Sequence, residues 1–331
     1  MNKQIIDHRE SAGQTTNLRV GILCNSDLLV LPSILHLKQR GILAGVAVPH
    51  KSKRFLDQRL LHLGLTPEEI TYISKDQQEE TLLNWIDKAK ATTVLVFAFP
   101  WKLSISVLNK PANRFYNFHF GLLPKYRGSD PIFWQLKNGE AEAGLVVHEM
   151  TEDIDGGPIA WTVQSPVIYG ENYGMYCARM GVVAMSSLDG FLKVLLKGKF
   201  DKVPQEQLPV MFNRKPVLSD LTINWELQNV EEIECLVNAC NPKYGGAFAI
   251  LGNMEIRLLE VVAVELNTNG QVDVPGTIVY ADVLYGLIVA CIENRFLKIN
   301  VARVNEGFVS GSKLFGMGIT TGMRFQSEVF G

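Results

Sequence analysis

Apolar residues in the first part of the chain form short runs that alternate with helical patterns. Residues 19–24, 43–48 and 92–99 are apolar runs typical of buried strands, and residues 32–40 and 76–90 have the spacing of amphipathic helices. Strands that alternate with helices along a chain usually form a parallel sheet covered by helices. This order therefore predicts an α/β fold with a Rossmann-like, mostly parallel sheet.

An aromatic strand pattern at residues 115–120 carries two polar residues that a core strand would not need. Side chains alternate along a strand, so Asn117 and His119 are predicted to emerge on one face and the aromatic residues on the other. The turn Gly-Leu-Leu-Pro at 121–124 ends the strand and places His119 near its carboxyl end. Ligands bind at that edge of open α/β sheets, so the pair marks a candidate site.

A helix and a second strand are predicted to follow this turn. Pro131 suits the first position of a helix, Gly139 follows its last turn, and residues 144–148 form another apolar strand. The next loop is rich in acid and contains Glu152, Asp153 and Asp155. We expect both strands to end at the same edge of the sheet, so that the acidic loop meets the Asn/His pair.

The residue types at this edge suit acyl-type transfer. His119 can donate when protonated or accept a proton when neutral, and the amide NH2 of Asn117 suits a developing oxyanion. A nearby carboxylate would orient the imidazole and favour its cation. The stretch contains no serine or cysteine nucleophile, which favours direct transfer between two bound substrates. An ordinary core histidine would account for His119 alone, but not for the three groups together.

The last third of the chain has a different pattern. A long helical pattern covers residues 172–196, a polar, proline-marked stretch follows it, and a helix capped by Asn229 is predicted at 230–240. Short β segments are then predicted at 247–251, 255–266, 277–280, 286–291 and 295–301, separated by glycine- and asparagine-rich turns. This pattern favours a small antiparallel barrel of the OB-like kind. The predicted organisation is a polar tail at 1–17, a catalytic domain at 18–203, a linker at 204–220 and a carboxyl-terminal β-barrel domain at 221–331.

Composition narrows the class of protein. The chain has 331 residues, of which 47% are hydrophobic and 20% charged, and a net charge of −2, so it suits two globular domains and gives no reason to expect a polyanionic partner. Its five cysteines include no Cys-x-x-Cys pair, which favours reduced thiols and indicates no metal site. Residues 1–17 lack the apolar core of a signal peptide, and no apolar run is long enough to span a bilayer. These features predict a cytoplasmic protein without membrane partners.

The stretch around His119 resembles the signature of the 10-formyltetrahydrofolate-dependent formyltransferases, which include methionyl-tRNA, glycinamide ribonucleotide and amino-sugar formyltransferases. The matching residues are Asn117, His119, Leu122, Leu123, Pro124, Tyr126, Arg127, Gly128, Pro131, Gly139, Glu140, Gly144, His148, Glu149, Met150, Ile154, Asp155 and Gly157. The resemblance implies that Asn117 and His119 stabilise the tetrahedral oxyanion. It also implies that Asp155 orients His119 and helps to move the proton. The chain departs from the family pattern at Gly121, where a serine is usual.

The same resemblance implies 10-formyltetrahydrofolate as co-substrate, with no metal. In the resembling enzymes the loop after the strand at 92–99 helps to enclose the folate, and the acidic loop supplies the other wall. The candidate folate-binding residues are Phe97, Ala98, Phe99, Trp101, Leu123, Pro124, Met150, Glu152, Asp153 and Ile154. Taken singly, the aromatic members of this set could equally be ordinary core residues.

The charge of the carboxyl-terminal domain bears on which amine is the acceptor. Residues 221–331 carry seven lysines and arginines against twelve aspartates and glutamates, which disfavours a domain that grips tRNA phosphates. The segment after Val48 also lacks the long, arginine- and glycine-rich insertion that the resembling tRNA formyltransferases share. We therefore expect a smaller amine, such as a nucleotide-linked amino sugar. Lys51, Lys53 and Arg54 are predicted to lie in a solvated loop, with a role in holding an acceptor phosphate as the alternative.

Three alternatives stay open. The first is methionyl-tRNA as acceptor. The looser resemblance of the carboxyl-terminal domain, at Ile223, Trp225, Asn241, Pro242 and Gly276, is shared by methionyl-tRNA formyltransferases and several sugar formyltransferases. The second is water as acceptor, which would make the chain a deformylating hydrolase. The third is a folate-binding protein without catalysis, although such a protein would not need Asn117, His119 and Asp155 together.

Overall fold

The computed structural model describes residues 18–110, 114–197, 203–205, 212–267, 272–305 and 307–327. The predicted polar tail at 1–17 lies outside these residues, as do residues 206–211 of the predicted linker. Two sheets organise the described part of the chain, and the predicted site lies on the first of them.

The first sheet has seven strands in the order β3-β2-β1-β4-β5-β6-β7. Strands β1 to β5 run parallel to their neighbours, whereas β6 is antiparallel to both β5 and β7. The strands are β1 (Val20–Cys24), β2 (Leu43–Pro49), β3 (Ile70–Ile73), β4 (Thr93–Phe97), β5 (Phe115–His119), β6 (Gly144–Glu149) and β7 (Ile159–Gln164).

Helices connect and cover these strands. They are α1 (Leu31–Gln39), α2 (Lys53–His62), α3 (Gln78–Ala89), α4 (Ile105–Leu108), α5 (Pro131–Lys137) and α6 (Tyr173–Leu196). Lys51, Lys53 and Arg54 are exposed as predicted, but the predicted loop is wrong, because Lys51 lies in a short 3-10 turn and the other two residues begin α2. Only Leu56 and Leu60 of α2 are buried, so its apolar period is too weak to be recognised in the sequence.

The expected direction of β6 is also wrong, because β6 runs antiparallel to β5. Parallel neighbours are usually joined by a helix that packs on the sheet. Helix α5 packs instead mainly on α6 and on a helix from the second half of the chain. The chain then returns beside β5, and the register places His148 opposite Asn117.

The second sheet follows two helices, α7 (Leu218–Leu221) and α8 (Val230–Cys240). Its strands are β8 (Ala247–Leu251), β9 (Met254–Val264), β10 (Ile278–Asp282), β11 (Gly286–Ala290), β12 (Phe296–Val304), β13 (Gly307–Ser310) and β14 (Phe325–Gln326), with α9 (Gly311–Gly316) after β13. The order is β10-β11-β12-β9-β8-β14, with β13 beside β12 and all pairs antiparallel. The sheet curls into a half-barrel, and backbone hydrogen bonds such as Phe325 N to Gly276 O (2.9 Å) join its two ends. The fold class predicted from the sequence is confirmed.

Apolar side chains from both sheets form one continuous core. Helix α8 packs between α5 and β9, and its predicted apolar face, which includes Ile233 and Val237, is buried. Trp225 is fully buried and stacks on Phe325 with ring centroids 5.1 Å apart. The second sheet is therefore attached to the first through packed helices and not only through the connecting chain.

The start of α8 gives a testable contribution to stability. Asn229 Oδ1 accepts the Glu232 N–H at 2.9 Å, and Glu232 Oε2 accepts the Asn229 N–H at 2.8 Å. We expect Asn229→Ala to lower the free energy of unfolding by about 1 kcal/mol, because it leaves an N–H at the helix start unpaired. Asn229→Ser keeps an acceptor at the same place and should retain most of the stability. Urea unfolding of the two variants checks this, and equal losses would contradict it.

Candidate active site

A cavity of about 800 Å³ opens where β1, β4 and β5 end. Its walls come from Asn25 after β1, residues 98–103 after β4, the end of β5, residues 128–132, and the acidic loop at 150–155. Lys243 and Tyr244 from the second half of the chain complete it. Strand order reverses between β1 and β4, the place where open α/β sheets bind ligands.

The structure brings Asn117, His119 and Asp155 together in this cavity. Asp155 Oδ1 lies 3.2 Å from Asn117 Nδ2 and 3.7 Å from His119 Nδ1, and Asp155 Oδ2 accepts the Gly128 N–H at 2.9 Å. The side chains of His119 and Asp155 are 5% and 11% exposed, so they interact in a poorly solvated environment. The role of each in catalysis stays a prediction.

Contacts on either side of the ring define the orientation of His119. His119 Nε2 lies 2.6 Å from the carbonyl oxygen of Tyr126, so Nε2–H donates and Nδ1 is directed towards Asp155. Burial lowers the pKa of His119, and the negative charge of Asp155 opposes this only in part. At neutral pH the ring is therefore neutral, with an Nδ1 lone pair that can accept a proton.

Asp155 is held by backbone and side-chain contacts within the acidic loop. Its φ of 51° lies in the left-handed region, which aspartate and asparagine tolerate better than most residues. Gln205 donates to the carbonyl oxygens of Asp155 and Gly157 at 2.7 and 2.8 Å and itself accepts from Arg127. Burial alone would raise the pKa of Asp155, but His119, His148 and the Gly128 N–H together lower it to about 2.

His148 is a member of the site to which sequence reasoning gave no role. Its Nδ1–H donates to the Glu149 carbonyl oxygen at 3.0 Å, so its Nε2 accepts from Asn117 Nδ2 at 3.1 Å. Nε2 also lies 3.4 Å from Asp155 Oδ1. His148 lies beside Asn117 because of the antiparallel register of β6, which the sequence did not predict.

The amide NH2 of Asn117, which the sequence suggested for the oxyanion, already has two partners. Its Nδ2 is directed to both His148 and Asp155, which accounts for its two N–H bonds. Asn117 can therefore donate to an oxyanion only by exchanging one of these partners. His148 and Asp155 therefore fix the orientation of the Asn117 side chain before a substrate binds.

Most of the predicted folate-binding residues line the cavity. These are Ala98, Phe99, Trp101, Met150, Glu152, Asp153 and Ile154. Phe97, Leu123 and Pro124 do not line it. Phe97 is fully buried and stacks on Phe118 at 4.5 Å, because its side chain lies on the core face of β4. The prediction that Phe97 belongs to the folate-binding wall of the cavity is therefore wrong.

Basic side chains are spread around the cavity. Lys51, Lys102 and Lys215 line it and have no ion-pair partner among the described residues, whereas Lys243 pairs with Asp130 at 2.8 Å. No group of three or more histidine, cysteine, aspartate or glutamate residues in the described ranges could hold a metal ion. None of the helices described is long and apolar enough to cross a membrane.

The fold and the site together define a two-part α/β protein with an Asn/His/Asp cluster at the switch point of its sheet. Comparison with known families gives this class a name. Residues 37–187 match the family described as formyl transferase, and residues 218–315 match the formyl transferase C-terminal domain. The chain belongs to the formyltransferase family, which confirms the family predicted from the sequence.

Individual relatives are similar to the chain in sequence or in fold. The chain is 28% identical over 215 residues to a methionyl-tRNA formyltransferase of Thermotoga maritima, which covers 65% of this chain and 67% of that protein. It is similar in fold to HypX from Aquifex aeolicus (TM-score 0.65, 16% identity), covering 92% of this chain and about half, 48%, of that one. It is also similar in fold to WlaRD, a sugar 3N-formyl transferase (TM-score 0.62, 14% identity), covering 88% of this chain and 99% of that one.

Proposed function

We propose that the chain is an N-formyltransferase that moves a formyl group from 10-formyltetrahydrofolate to an acceptor amine by direct attack. The observation that carries the proposal is the convergence of Asn117, His119 and Asp155 at one cavity in a chain of this family. When bound, 10-formyltetrahydrofolate supplies the formyl group. The residues of the chain hold and move the proton and stabilise the charge.

The proton has a defined route in this proposal. As the acceptor nitrogen bonds to the formyl carbon, it loses a proton to Nδ1 of the neutral His119. The imidazolium that results lies 3.7 Å from the Asp155 carboxylate, which stabilises it. His119 Nδ1–H and Asn117 then stabilise the oxyanion, and the proton passes to the leaving nitrogen of the folate when its bond to carbon breaks.

The cavity walls fit a folate ring. Phe99 and Trp101 lie edge to face, with centroids 5.3 Å apart, and Met150 and Ile154 of the acidic loop line the same cavity. A flat heteroaromatic ring can pack on these apolar side chains while the backbone of the acidic loop contacts its polar edge. Asp155 itself is engaged with Gly128 and Asn117 and is not needed for this recognition.

The proton route predicts how the rate depends on pH. Since His119 must be neutral to accept a proton and burial lowers its pKa, we expect kcat/KM to fall on the acid side with an apparent pKa below that of a solvent-exposed histidine. Asp155, with a pKa of about 2, stays ionised throughout and adds no limb. A rate profile from about pH 5 to about pH 9 measures this. Acceptors whose amines differ in pKa show which part of the profile comes from the acceptor. A fall in kcat/KM with an apparent pKa above about 7 would contradict the proposed neutral state of His119.

We favour a small anionic amine, such as a nucleotide-linked amino sugar, as the acceptor. The unpaired lysines Lys51, Lys102 and Lys215 around the cavity can hold phosphate groups. Residues 221–331 have five more acidic than basic residues, which does not favour a long polyanion. WlaRD, a sugar formyltransferase crystallised with dTDP and 5-N-formyl-THF, has a similar fold over almost its whole length.

Methionyl-tRNA is the second candidate, favoured by the match to the Thermotoga maritima enzyme. An acceptor screen with 10-formyltetrahydrofolate separates the two, using charged initiator tRNA and nucleotide-linked amino sugars at equal concentrations. Transfer to the sugars alone supports the first acceptor and transfer to tRNA alone supports the second. Folate binding without transfer to any amine would leave the inactive folate-binding alternative.

The domain boundaries and the compartment are also part of this proposal. The catalytic domain would span residues 18–203 and the carboxyl-terminal domain residues 221–331, in agreement with the two family matches. All five cysteines are free thiols, four of them buried, as in proteins of reducing compartments. A cytoplasmic location is consistent with these thiols.

A further inference from the structure

Asp130 occupies the first position before α5 but does not cap the helix. Its φ is 55°, in the left-handed region, and its side chain makes no hydrogen bond to the helix start. The carboxylate, 6% exposed, is directed instead towards the second half of the chain. A buried charge placed away from its local helix needs specific partners.

Those partners form a cluster that crosses between the two parts of the molecule. Lys243 Nζ lies 2.8 Å from Asp130 Oδ2, and Tyr244 O–H donates to the same oxygen. Tyr173 O–H donates to Asp130 Oδ1 at 3.0 Å and accepts from Lys243 Nζ at 2.7 Å. Burial and the charge of Asp130 raise the pKa of both tyrosines, so both hydroxyls remain donors.

The turn that ends at Asp130 is the one that holds the Asn/His/Asp cluster. The Tyr126 carbonyl oxygen accepts from His119 Nε2 at 2.6 Å, and the Gly128 N–H donates to Asp155 at 2.9 Å. Within five residues the turn therefore contacts His119 through one backbone group, Asp155 through another and Lys243 through the Asp130 side chain. A shift of this turn would displace His119 and Asp155 together.

The connecting chain clamps the same turn from the other side. The Ser129 N–H donates to the Asn213 carbonyl oxygen at 2.7 Å, and the Asn213 N–H donates to the Arg127 carbonyl oxygen at 2.9 Å. A Cβ at Gly128 would lie 2.4 Å from the Asn213 oxygen, so this approach needs glycine. Asp130 and Lys243 fix the end of the turn that Asn213 does not hold.

We propose that Lys243, assisted by Tyr244, is a positioning residue for formyl transfer, acting through Asp130 on the turn that orients His119 and Asp155. This inference rests on the proposed function for its kinetic readout. Under this proposal the carboxyl-terminal half of the chain helps to position His119 and Asp155 for the reaction, in addition to any part in binding the acceptor. Lys243 touches neither His119 nor Asp155 and acts only through the turn.

The test uses the full chain with Lys243→Met, which keeps side-chain length without charge, and Lys243→Arg, which keeps charge and donors. Lys313→Met, on the exposed side of α9 away from the cavity, is the matched control. We expect Lys243→Met to lower kcat about ten- to a hundredfold, the effect of a small displacement of reacting groups, with KM for both substrates changed less than about threefold. Lys243→Arg should recover most of kcat, and Lys313→Met should not change it.

The ring of His119 supplies a readout that does not need formyl transfer. A loosened turn admits water beside His119, so we expect NMR titration to show its pKa higher in Lys243→Met than in the unaltered protein, while the two titratable neighbours of the ring, Asp155 and His148, are left in place. Tyr244→Phe, which removes one hydrogen bond and no charge, should move kcat and the His119 pKa in the same directions by less. It also provides the test if Lys243→Met does not fold.

Several outcomes would overturn the inference. One is an unchanged kcat with a raised KM for the acceptor, which would make Lys243 a substrate contact. Another is a His119 titration that neither variant moves. If the unaltered protein formylates no amine, the proposed function fails on its own, and the His119 titration still decides whether Lys243 positions the site.

Discussion

His119→Ala is expected to lower kcat for formyl transfer by about a thousandfold or more while folate binding changes little. The variant removes the proton acceptor at Nδ1 and the cation that would face the oxyanion. It also leaves the Tyr126 carbonyl oxygen without the donor that lies 2.6 Å from it now. The aromatic wall at Phe99 and Trp101 is untouched, so the folate ring should still bind.

Transfer to the acceptor found in the screen measures the loss, and fluorescence titration with tetrahydrofolate measures binding. His62→Ala, at the exposed end of α2, is the control for loss of a histidine. Retention of more than about a tenth of the rate would remove His119 from the chemistry, because general acid–base groups contribute at least a hundredfold in most enzymes. Loss of binding together with rate would indicate collapse of the cavity.

The sequence predicted those parts of the fold whose signals are local. Helix α8 lies at the residues expected from its Asn229 cap and apolar spacing, and β8 has the expected bounds. Alternation along β5 placed Asn117 and His119 on one face, and both contact Asp155. Each of these features depends on residues within a few positions of one another, which is the range over which capping and periodicity act.

The parts that failed depend on contacts between distant residues. Helix α5 packs mainly on α8 from the second half of the chain, so the local pattern did not predict the direction of β6 or the position of His148. Helix α2 buries only two side chains, so its pattern resembles that of a solvated segment. The contacts of Asp130 with Lys243 and Tyr244 join residues more than 110 positions apart, beyond the reach of any periodic signal. The site therefore has a local part that can be read from sequence and a supporting part that cannot.

Burial and the charge of Asp155 have opposite and separable effects on the pKa of His119. Burial favours its neutral form, and Asp155 favours its cation. A group that must be neutral to accept a proton and then remain cationic long enough to pass it on needs both influences. The pKa of His119 is thus a measure of the balance, and variants of each neighbour should move it in predictable directions.

Asp155→Asn is expected to lower kcat about a thousandfold and to move the acid limb of the rate profile to lower pH. The direction follows from the sign of the charge: Asp155 raises the pKa of His119 against the effect of burial, so its removal lets that pKa fall further. The rate falls because the imidazolium loses its counter-charge and because asparagine keeps only one acceptor oxygen, so that either Asn117 or the Gly128 N–H loses its acceptor. Asparagine tolerates the φ of 51° at this position, so the loop should keep its course.

Rate profiles of the unaltered protein and of Asp155→Asn, measured with one acceptor, check this expectation. Asp87→Asn removes an exposed carboxylate paired with Lys110 and serves as the control, with no expected change in kcat. A shift of the limb to higher pH, or a rate within about threefold of the unaltered protein, would show that Asp155 does not act on His119. Asp155→Asn and Lys243→Met should move the limb in opposite directions, because one removes the charge beside the ring and the other admits water to it.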